Sequence, residues 1–410
     1  MKSYLVGGAV RDQLLGLPIT ERDWVVLGET PDSMLSQGFR QVGKDFPVFL
    51  HPKSQEEYAL ARTERKTAPG YTGFILHATP EVTLEEDLLR RDLTINAIAM
   101  APDGQLIDPF GGQQDLNNRV FRHISPAFSE DPVRILRIAR FAARFKHLGF
   151  TIAKETQALM ADMVKSGEVD ALVPERIWAE LFKALKEPSP AAFFHTLRAC
   201  NALERIIPEI NALFGVPQPE KYHPEIDTGI HSLLCIDQAT ILSNTPEIRF
   251  AALTHDLGKA LSPKENWPSH HGHEKNGLPI LQSLCERLRV PNTFKKLALH
   301  VMEYHTHCHK AFELKPSTLV DLLTHLGAFK PNSNLPAFVL ACEADAKGRT
   351  GLEHIPYLQA NFLLQIATVA SSIDTSAILS SSLKGADISI AIRNLRIKAV
   401  TEVINHYKPM

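Results

Sequence analysis

The chain has 410 residues, 44% hydrophobic and 22% charged, with a formal net charge of −2, a composition that fits a globular protein of several domains. The near-neutral balance excludes a globally basic nucleic-acid binder, so any nucleic-acid surface must be a local patch. Five cysteines (Cys200, Cys235, Cys285, Cys308 and Cys342) lie far apart with no CxxC, which excludes a disulfide framework or zinc ribbon and fits a reducing compartment.

No apolar run reaches the length of a signal peptide or a membrane span, so a cytoplasmic protein without membrane contact is expected. In chain order, the apolar run Tyr4-Leu5-Val6 leads through Gly7-Gly8 into 9–15, whose apolar residues recur at helical spacing and stop at Gly16. A strand feeding a helix through glycines cradles an anion on free N–H groups, and Arg11 adds a fork for phosphate. A second strand follows Pro18 and carries Glu21 and Asp23. Two residues apart on a strand, they face the same side and suit a shared metal ion. A phosphate cradle beside paired carboxylates is the equipment of metal-assisted phosphoryl or nucleotidyl transfer.

Residues 57–61 read as a further strand, and 63–74 (TERKTAPGYTGF) as a polar loop able to move beside a site. Thr83-x-x-Glu86 is a capping box that opens a helix. Arg90-Arg91-Asp92 then crowds charge ahead of an apolar stretch, as a solvated surface or as a contact to phosphate or base. Residues 106–116 read as a strand ending in a turn.

From Ser129 onward the pattern is helical, with amphipathic segments at 177–185 and 190–203. The segment 129–145 (SEDPVRILRIARFAARF) opens with Ser129 as the expected N-cap. Val133, Ile135, Ile138, Ala139, Ala142 and Phe145 form its core stripe, and Arg134, Arg137, Arg140 and Arg144 gather on a sector about 120° wide. With no interleaved acids, that face invites an anionic partner such as a triphosphate or RNA backbone. Asp131 and Arg134, three apart, can face one ligand. An aspartate accepts from an exocyclic amine while an arginine donates to a ring nitrogen, so the pair suits cytosine and adenine and leaves uracil and guanine unpaired.

GGAVRD, then ERD, RRDLTINAIA, DPFGGQQDL and EDPVRILRIARF, in that order over about the first half of the chain, closely resemble the bacterial CCA-adding tRNA nucleotidyltransferases. These belong to the class II, DNA polymerase β-like superfamily. The resemblance implies that Gly8, Arg11, Arg91, Arg137 and Arg140 contact the nucleotide (CTP or ATP), that Glu21 and Asp23 are catalytic and bind Mg2+, and that Asp131 and Arg134 select C or A. It also implies that the 63–74 loop takes part in the switch from C to A. The family pattern is Asp-x-Asp, and this chain has glutamate at 21, one methylene longer, where magnesium demands near-octahedral geometry.

Downstream, His231 begins a helical segment, His255-Asp256 sits adjacent within what reads as an apolar helix over 249–259, and more histidines lead to Asp345. Mixed imidazole and carboxylate ligands suit first-row divalent metals such as nickel, manganese or cobalt. This resembles the HD-type phosphohydrolases, which implies His231, His255, Asp256 and Asp345 as ligands of Ni2+ or another first-row metal, the other histidines being local surface or phosphate contacts. The expected fold is multidomain α+β. An N-terminal mixed α/β nucleotidyltransferase head (1–125) precedes an all-α body (126–225), an all-α HD domain (226–350) and a helical tail (351–410).

The function implied is template-independent addition and repair of the tRNA 3′ CCA, with phosphatase, 2′,3′-cyclic phosphodiesterase and 2′-nucleotidase activity in the HD domain. The expected partners are tRNA, through its 3′ end and acceptor stem, with CTP and ATP. No obligate protein partner is expected, and the chain acts as a monomer or homodimer. A poly(A) polymerase of the same family is one alternative; an RNA-binding HD phosphohydrolase with an attenuated transferase head is the other.

Overall fold

The computed structural model describes residues 1–42, 48–66 and 74–406, in two compact units, one of residues 1–180 and 195–206 and one of 181–194 and 207–410. The first opens with β1 (Lys2–Val6), α1 (Gly8–Leu14), β2 (Asp23–Leu27), α2 (Pro31–Ser36), β3 (Arg40–Val42), β4 (Val48–Leu50) and β5 (Glu57–Leu60). It continues through β6 (Thr63–Lys66), β7 (Phe74–His77), α3 (Leu84–Leu89), β8 (Ala99–Met100), β9 (Leu106–Ile107), α4 (Gly112–Asn118) and β10 (Val120–Phe121). Strands β3-β4-β5-β2-β1-β8-β9 form one sheet, antiparallel except where β2 runs parallel to β5.

The period-2 alternation of β2 divides its two valines between faces. Val25 packs with Val6, Leu88, Ala97 and Ala99, and Val26 with Met34, Phe49 and Leu60. Both residues of the capping box that opens α3 bond as expected: Thr83 Oγ1 accepts from the Glu86 N–H at 3.3 Å, and Glu86 Oε2 accepts from the Thr83 N–H at 2.8 Å. Strands β6 and β7 pair as a hairpin with Thr63 opposite His77; the centre of the predicted 63–74 loop, residues 67–73, lies outside the described residues.

Helix α5 (Val133–Phe145) follows, then β11 (Thr151–Ile152), α6 (Lys154–Lys165), α7 (Pro174–Lys186), α8 (Ala191–Ala199) and α9 (Ala202–Ile206). Ser129 does not cap α5. It lies in a 3-10 turn, Pro126–Glu130, and its hydroxyl donates to the Pro126 carbonyl at 2.9 Å. Pro132, with no N–H to satisfy, is preset for a helix start, and Asp131 Oδ1 accepts from the Val133 N–H at 3.1 Å. The buried side of α5 is also wider than the expected stripe, since Leu136, Phe141 and Ala143 are buried as well. Residues 190–203 are not one helix: Asn201 takes a left-handed φ of 61° between α8 and α9, a conformation asparagine tolerates.

In the second unit the chain runs through α10 (Pro208–Asn211), α11 (Thr228–Leu242), α12 (Pro246–Thr254), α13 (His273–Arg287), α14 (Asn292–His309) and α15 (Pro316–His325). It ends in α16 (Leu335–Lys347), α17 (Leu358–Ser371), α18 (Ser376–Leu379) and α19 (Ala386–His406). Asp227 caps α11, its carboxylate accepting from the Ile230 N–H at 2.9 Å. The His255-Asp256 doublet is not inside a helix. Helix α12 stops at Thr254, His255 is its C-cap, and Asp256 (φ −106°, ψ 12°) leads into a 3-10 turn, Leu257–Leu261. The expected helical tail includes a 21-residue helix, α19. Among the described residues no helix is long and apolar enough to cross a membrane.

Candidate functional sites

The first site is built on the β1–α1 turn. Gly7 adopts φ 68°, which costs glycine nothing and a β-carbon residue much. A Cβ there would also come 3.0 Å from Arg91 Nη1. Asp23 begins β2 directly opposite Val6, so it stands at the same end of these central strands as the turn. Glu21 lies in the loop before the strand, not on it, so the i, i+2 strand argument does not hold. Desolvation pushes the Asp23 carboxyl above its ordinary value, with the charge of Arg91 opposing and that of Glu21 adding. Two carboxylates of which one feels the charge of the other fit a cation, and all-oxygen donors of this kind suit a hard ion such as magnesium.

Arg11 is 3% exposed, and a buried guanidinium has to be paired. Its Nε and Nη2 each bond Asp12 Oδ1 at 2.8 Å and its Nη1 bonds Asn96 Oδ1 at 2.6 Å. The guanidinium also lies 5.1 and 5.0 Å from the ring centres of Phe141 and Phe145. Instead of standing as an open phosphate fork, Arg11 ties the glycine turn to the backbone around Asn96 and to α5.

The arginine face of α5 is likewise not left unpaired. Arg137 Nε bonds Asp92 at 2.6 Å, Arg140 Nε bonds Glu180 at 2.7 Å, and Arg144 Nη2 bonds Asp12 at 2.8 Å. Arg134, buried, donates to the carbonyls of Ala127 and Arg90 at 3.0 and 2.7 Å. Asp131 takes a bidentate pair from Arg176 at 3.0 and 2.8 Å, a partner the sequence reading missed. The neutralising acids come from other elements, so the charge of this face is balanced inside the fold.

Asp92 anchors this network, also accepting from Asn96 Nδ2 at 2.9 Å. Burial alone would push its carboxyl up, but Arg137 and the Asn96 and Arg137 bonds hold it well below the usual carboxylate range. A carboxyl depressed in the folded state stabilises above its unfolded pKa and loses that contribution as pH falls. The stability gap between the parent chain and Asp92→Asn, read as Tm, should therefore narrow progressively below about pH 5. A gap constant down to pH 3 would refute the assignment.

The second site gathers side chains from five elements of the second unit. His231 (α11), His255, Asp256 and Asp345 (α16) are all buried. His231 Nε2 lies 3.2 Å from Asp345 Oδ1 and 3.8 Å from Asp256 Oδ2; His255 Nε2 lies 3.0 Å from Asp256 Oδ2 and 3.6 Å from Asp345 Oδ2. His255 Nδ1 sits 2.8 Å from the Ala252 carbonyl. A carbonyl only accepts, so Nδ1 carries the proton and, in the neutral ring, Nε2 presents a lone pair. That buried Nε2 has no hydrogen-bond partner. A lone pair facing carboxylate oxygens fits a cation between them, and this backbone-fixed tautomer is the usual support of a histidine metal ligand.

The four ligands expected from sequence are thus brought together, with residues the sequence reading left aside. Cys235 Sγ is 3.4 Å from His231 Nε2, and Glu225 is 2.9 Å from His231 Nδ1. Lys259 Nζ is 2.6 Å from Asp256, and His309 Nε2 is 2.6 Å from Asp345. Burial alone would raise Asp256 and Asp345, yet the contacts of Asp256 with His255 and Lys259, and of Asp345 with His255, His309 and His231, hold both well below the usual range. His273 and His305 also turn inward, whereas His271 is exposed. The readable signal was helical spacing: His231/Cys235 and His305/His309 are four apart.

Models of known families match three parts of the chain: the poly A polymerase head domain over residues 3–122, the probable RNA and SrmB-binding site of polymerase A over 149–214, and the HD domain over 228–327. The multifunctional CCA protein of Methylococcus capsulatus is 62% identical over 401 residues, 98% of this chain and 94% of that protein. This chain belongs to the multifunctional CCA protein family. The family member of Teredinibacter turnerae is 60% identical over 98% of this chain and 97% of its own. Among solved structures, the Thermotoga maritima CCA-adding enzyme complexed with tRNA aligns at TM-score 0.62 and 20% identity, covering 99% of this chain and 92% of that one. A CCA-adding enzyme complex with ATP aligns at TM-score 0.66 and 20% identity, covering 97% and 86%. These alignments establish the fold, with its N-terminal nucleotidyltransferase head, helical remainder and HD domain.

Proposed function

We propose that the chain completes tRNA 3′ ends by template-independent addition of CCA from CTP and ATP, and that its HD domain is a metal-dependent phosphohydrolase. The observation that carries the first half is the grouping of Gly7, Arg91 and Asp23, with Glu21 in the loop just before, at one end of the central strands β1 and β2, in a family kinship that spans the chain. The tRNA 3′-hydroxyl attacks the α-phosphate, the new phosphodiester forms as the bond to pyrophosphate breaks, and the hydroxyl proton leaves to solvent. Glu21 and Asp23 hold magnesium, which when bound supplies charge neutralisation at the phosphates.

The Gly7 turn lets the backbone approach the triphosphate. Gly8, Arg91, Arg137 and Arg140 form our nucleotide-binding assignment, with Arg137 and Arg140 oriented by Asp92 and Glu180, while Arg11, expected to contact the nucleotide, is paired inside the fold and positions the glycine turn. Asp131, held by Arg176, and Arg134, held by two carbonyls, choose the base. The acceptor stem is positioned by backbone and shape contacts on the helical body.

Incubating tRNA lacking its 3′ end with labelled CTP and ATP should give ordered C, C and A. An A tail would favour the poly(A) polymerase alternative, and no incorporation would overturn the transferase reading. In the same assay Asp131→Ala should cut the preference for CTP and ATP over UTP and GTP by roughly 10²-fold or more; an unchanged preference would remove Asp131 from base selection.

For the HD half, His231, His255, Asp256 and Asp345 would hold a first-row divalent metal, which when bound would supply an activated water for phosphoester hydrolysis. The substrates proposed are phosphomonoesters and 2′,3′-cyclic ends, so a damaged tRNA terminus is trimmed before it is rebuilt. No release of phosphate and no opening of a 2′,3′-cyclic nucleotide by nickel-loaded protein would sink this half.

A further inference from the structure

Cys235 reaches the HD cluster with no role in the four-ligand reading. It sits on α11 one turn after His231 and on the same face, and it is completely buried. Its Sγ lies 3.4 Å from His231 Nε2. With His231, His255 and Asp345 it offers four ligand atoms that all stand within 4.8 Å of one another. A buried cysteine ordinarily packs as a small apolar group with a weak S–H donor. Here the contact of that thiol with the Asp345 carbonyl, at 3.9 Å, is long.

The groups around the sulfur instead point to a cation. His231 Nδ1 lies 2.9 Å from the Glu225 carboxylate and 3.3 Å from the Gly348 carbonyl. Both accept, so Nδ1 carries the proton, and the neutral ring turns its Nε2 lone pair toward Sγ and toward Asp345 Oδ1 at 3.2 Å. His255 Nε2, buried and without a hydrogen-bond partner, faces the same space. A sulfur about 2.3 Å and a nitrogen about 2.1 Å from one ion stand roughly 3.1 to 3.6 Å apart at octahedral to tetrahedral angles. The observed 3.4 Å falls inside that range. The end of α16 also closes over the thiol. A Cβ at Gly348 would fall 2.6 Å from Sγ and 2.8 Å from both the Cys235 Cα and its nitrogen, so only glycine leaves room for the sulfur there.

We propose that Cys235 is a further ligand of the HD metal, bound as thiolate, and that it directs the site toward a thiophilic ion. The sulfur–metal bond forms as the S–H bond breaks, and the proton leaves to solvent. Two carboxylates and a thiolate around a divalent ion leave one negative charge. Lys259 Nζ, 2.6 Å from Asp256, and Arg349 Nη2, 3.4 Å from Asp345, stand beside it. Thiolate favours zinc, cobalt or nickel over manganese or magnesium. The proposal rests on the metal reading of the HD cluster given above, to which it adds a donor and a preference among ions.

The test is spectroscopic and needs no turnover. Full-length protein in an Asp23→Asn background, chosen so that the head contributes no ion, is stripped with chelator, loaded with Co2+ and counted by mass spectrometry. One cobalt per chain with a thiolate-to-cobalt charge-transfer band in the near ultraviolet is the expected result. Cys235→Ser, checked for fold by circular dichroism, should keep cobalt and lose the band. It should also weaken Zn2+ binding roughly 10-fold or more and Mn2+ binding by less. Bound cobalt without the band in the parent would overturn the role of Cys235 and leave the HD metal site standing. No bound cobalt would overturn both. A band unchanged in Cys235→Ser would overturn the assignment to this cysteine. If the variant fails to fold or to keep cobalt, X-ray absorption of the zinc-loaded parent decides. One sulfur at about 2.3 Å supports the proposal, and a shell of nitrogen and oxygen alone overturns it.

Discussion

Asp23→Asn should lower the rate of nucleotide addition by roughly 10²- to 10³-fold or more, the scale expected when a group serving the charge of the transition state is removed. Its effect on stability should run the other way. The folded chain holds the Asp23 carboxyl above its ordinary value, through desolvation and the charge of Glu21 against the pull of Arg91. It therefore binds a proton more tightly folded than unfolded, and its charged form opposes folding increasingly as pH rises through that raised value. The amide has no such penalty. Tm of the variant should equal or exceed that of the parent at pH 7, and the difference should vanish in acid, where the carboxyl is protonated in both states. Lost activity with retained or raised Tm marks a residue placed for chemistry at the expense of stability. A variant that loses both would show Asp23 to be structural.

What sequence revealed of this site follows from how local each signal is. Gly7 with Asp23, and His255 with Asp256, are legible because the residues that matter are neighbours in the chain and their types are diagnostic in order. The strand register that sets Asp23 opposite Val6 follows from a short antiparallel pairing. The state of the α5 arginines was not legible. Arg144, Arg137 and Arg140 find their acids 132, 45 and 40 residues away, and periodicity on one helix says nothing about charges that another element brings. Asp131 shows the same limit: its bidentate partner Arg176 lies 45 residues on. In the HD cluster, His273 and His305 were lost among outward-facing histidines. Only the packing of α13 beside α14 and the doublet tells inward rings from outward ones.

That packing makes the second large prediction. A Cβ at residue 258 would fall 2.0 Å from the His273 carbonyl oxygen and 2.8 Å from the Gly277 nitrogen, both backbone atoms. No rotamer change relieves a clash with backbone, so Gly258→Ala must push the 3-10 turn Leu257–Leu261 off α13, at a cost of about 3 kcal/mol. The displaced turn follows Asp256 directly and carries Lys259; the displaced helix begins with His273. The variant should thus lose stability in chemical denaturation and lose bound metal together. Gly277→Ala should cost less: its Cβ would meet Met302 Sδ at 2.7 Å, which a thioether can turn away, and Gly258 N at 2.9 Å, a milder backbone overlap than the 2.0 Å at residue 258. If Gly277→Ala proved the more damaging, or Gly258→Ala kept full metal content and midpoint, the close approach would not be what holds the histidines and Asp256 in register.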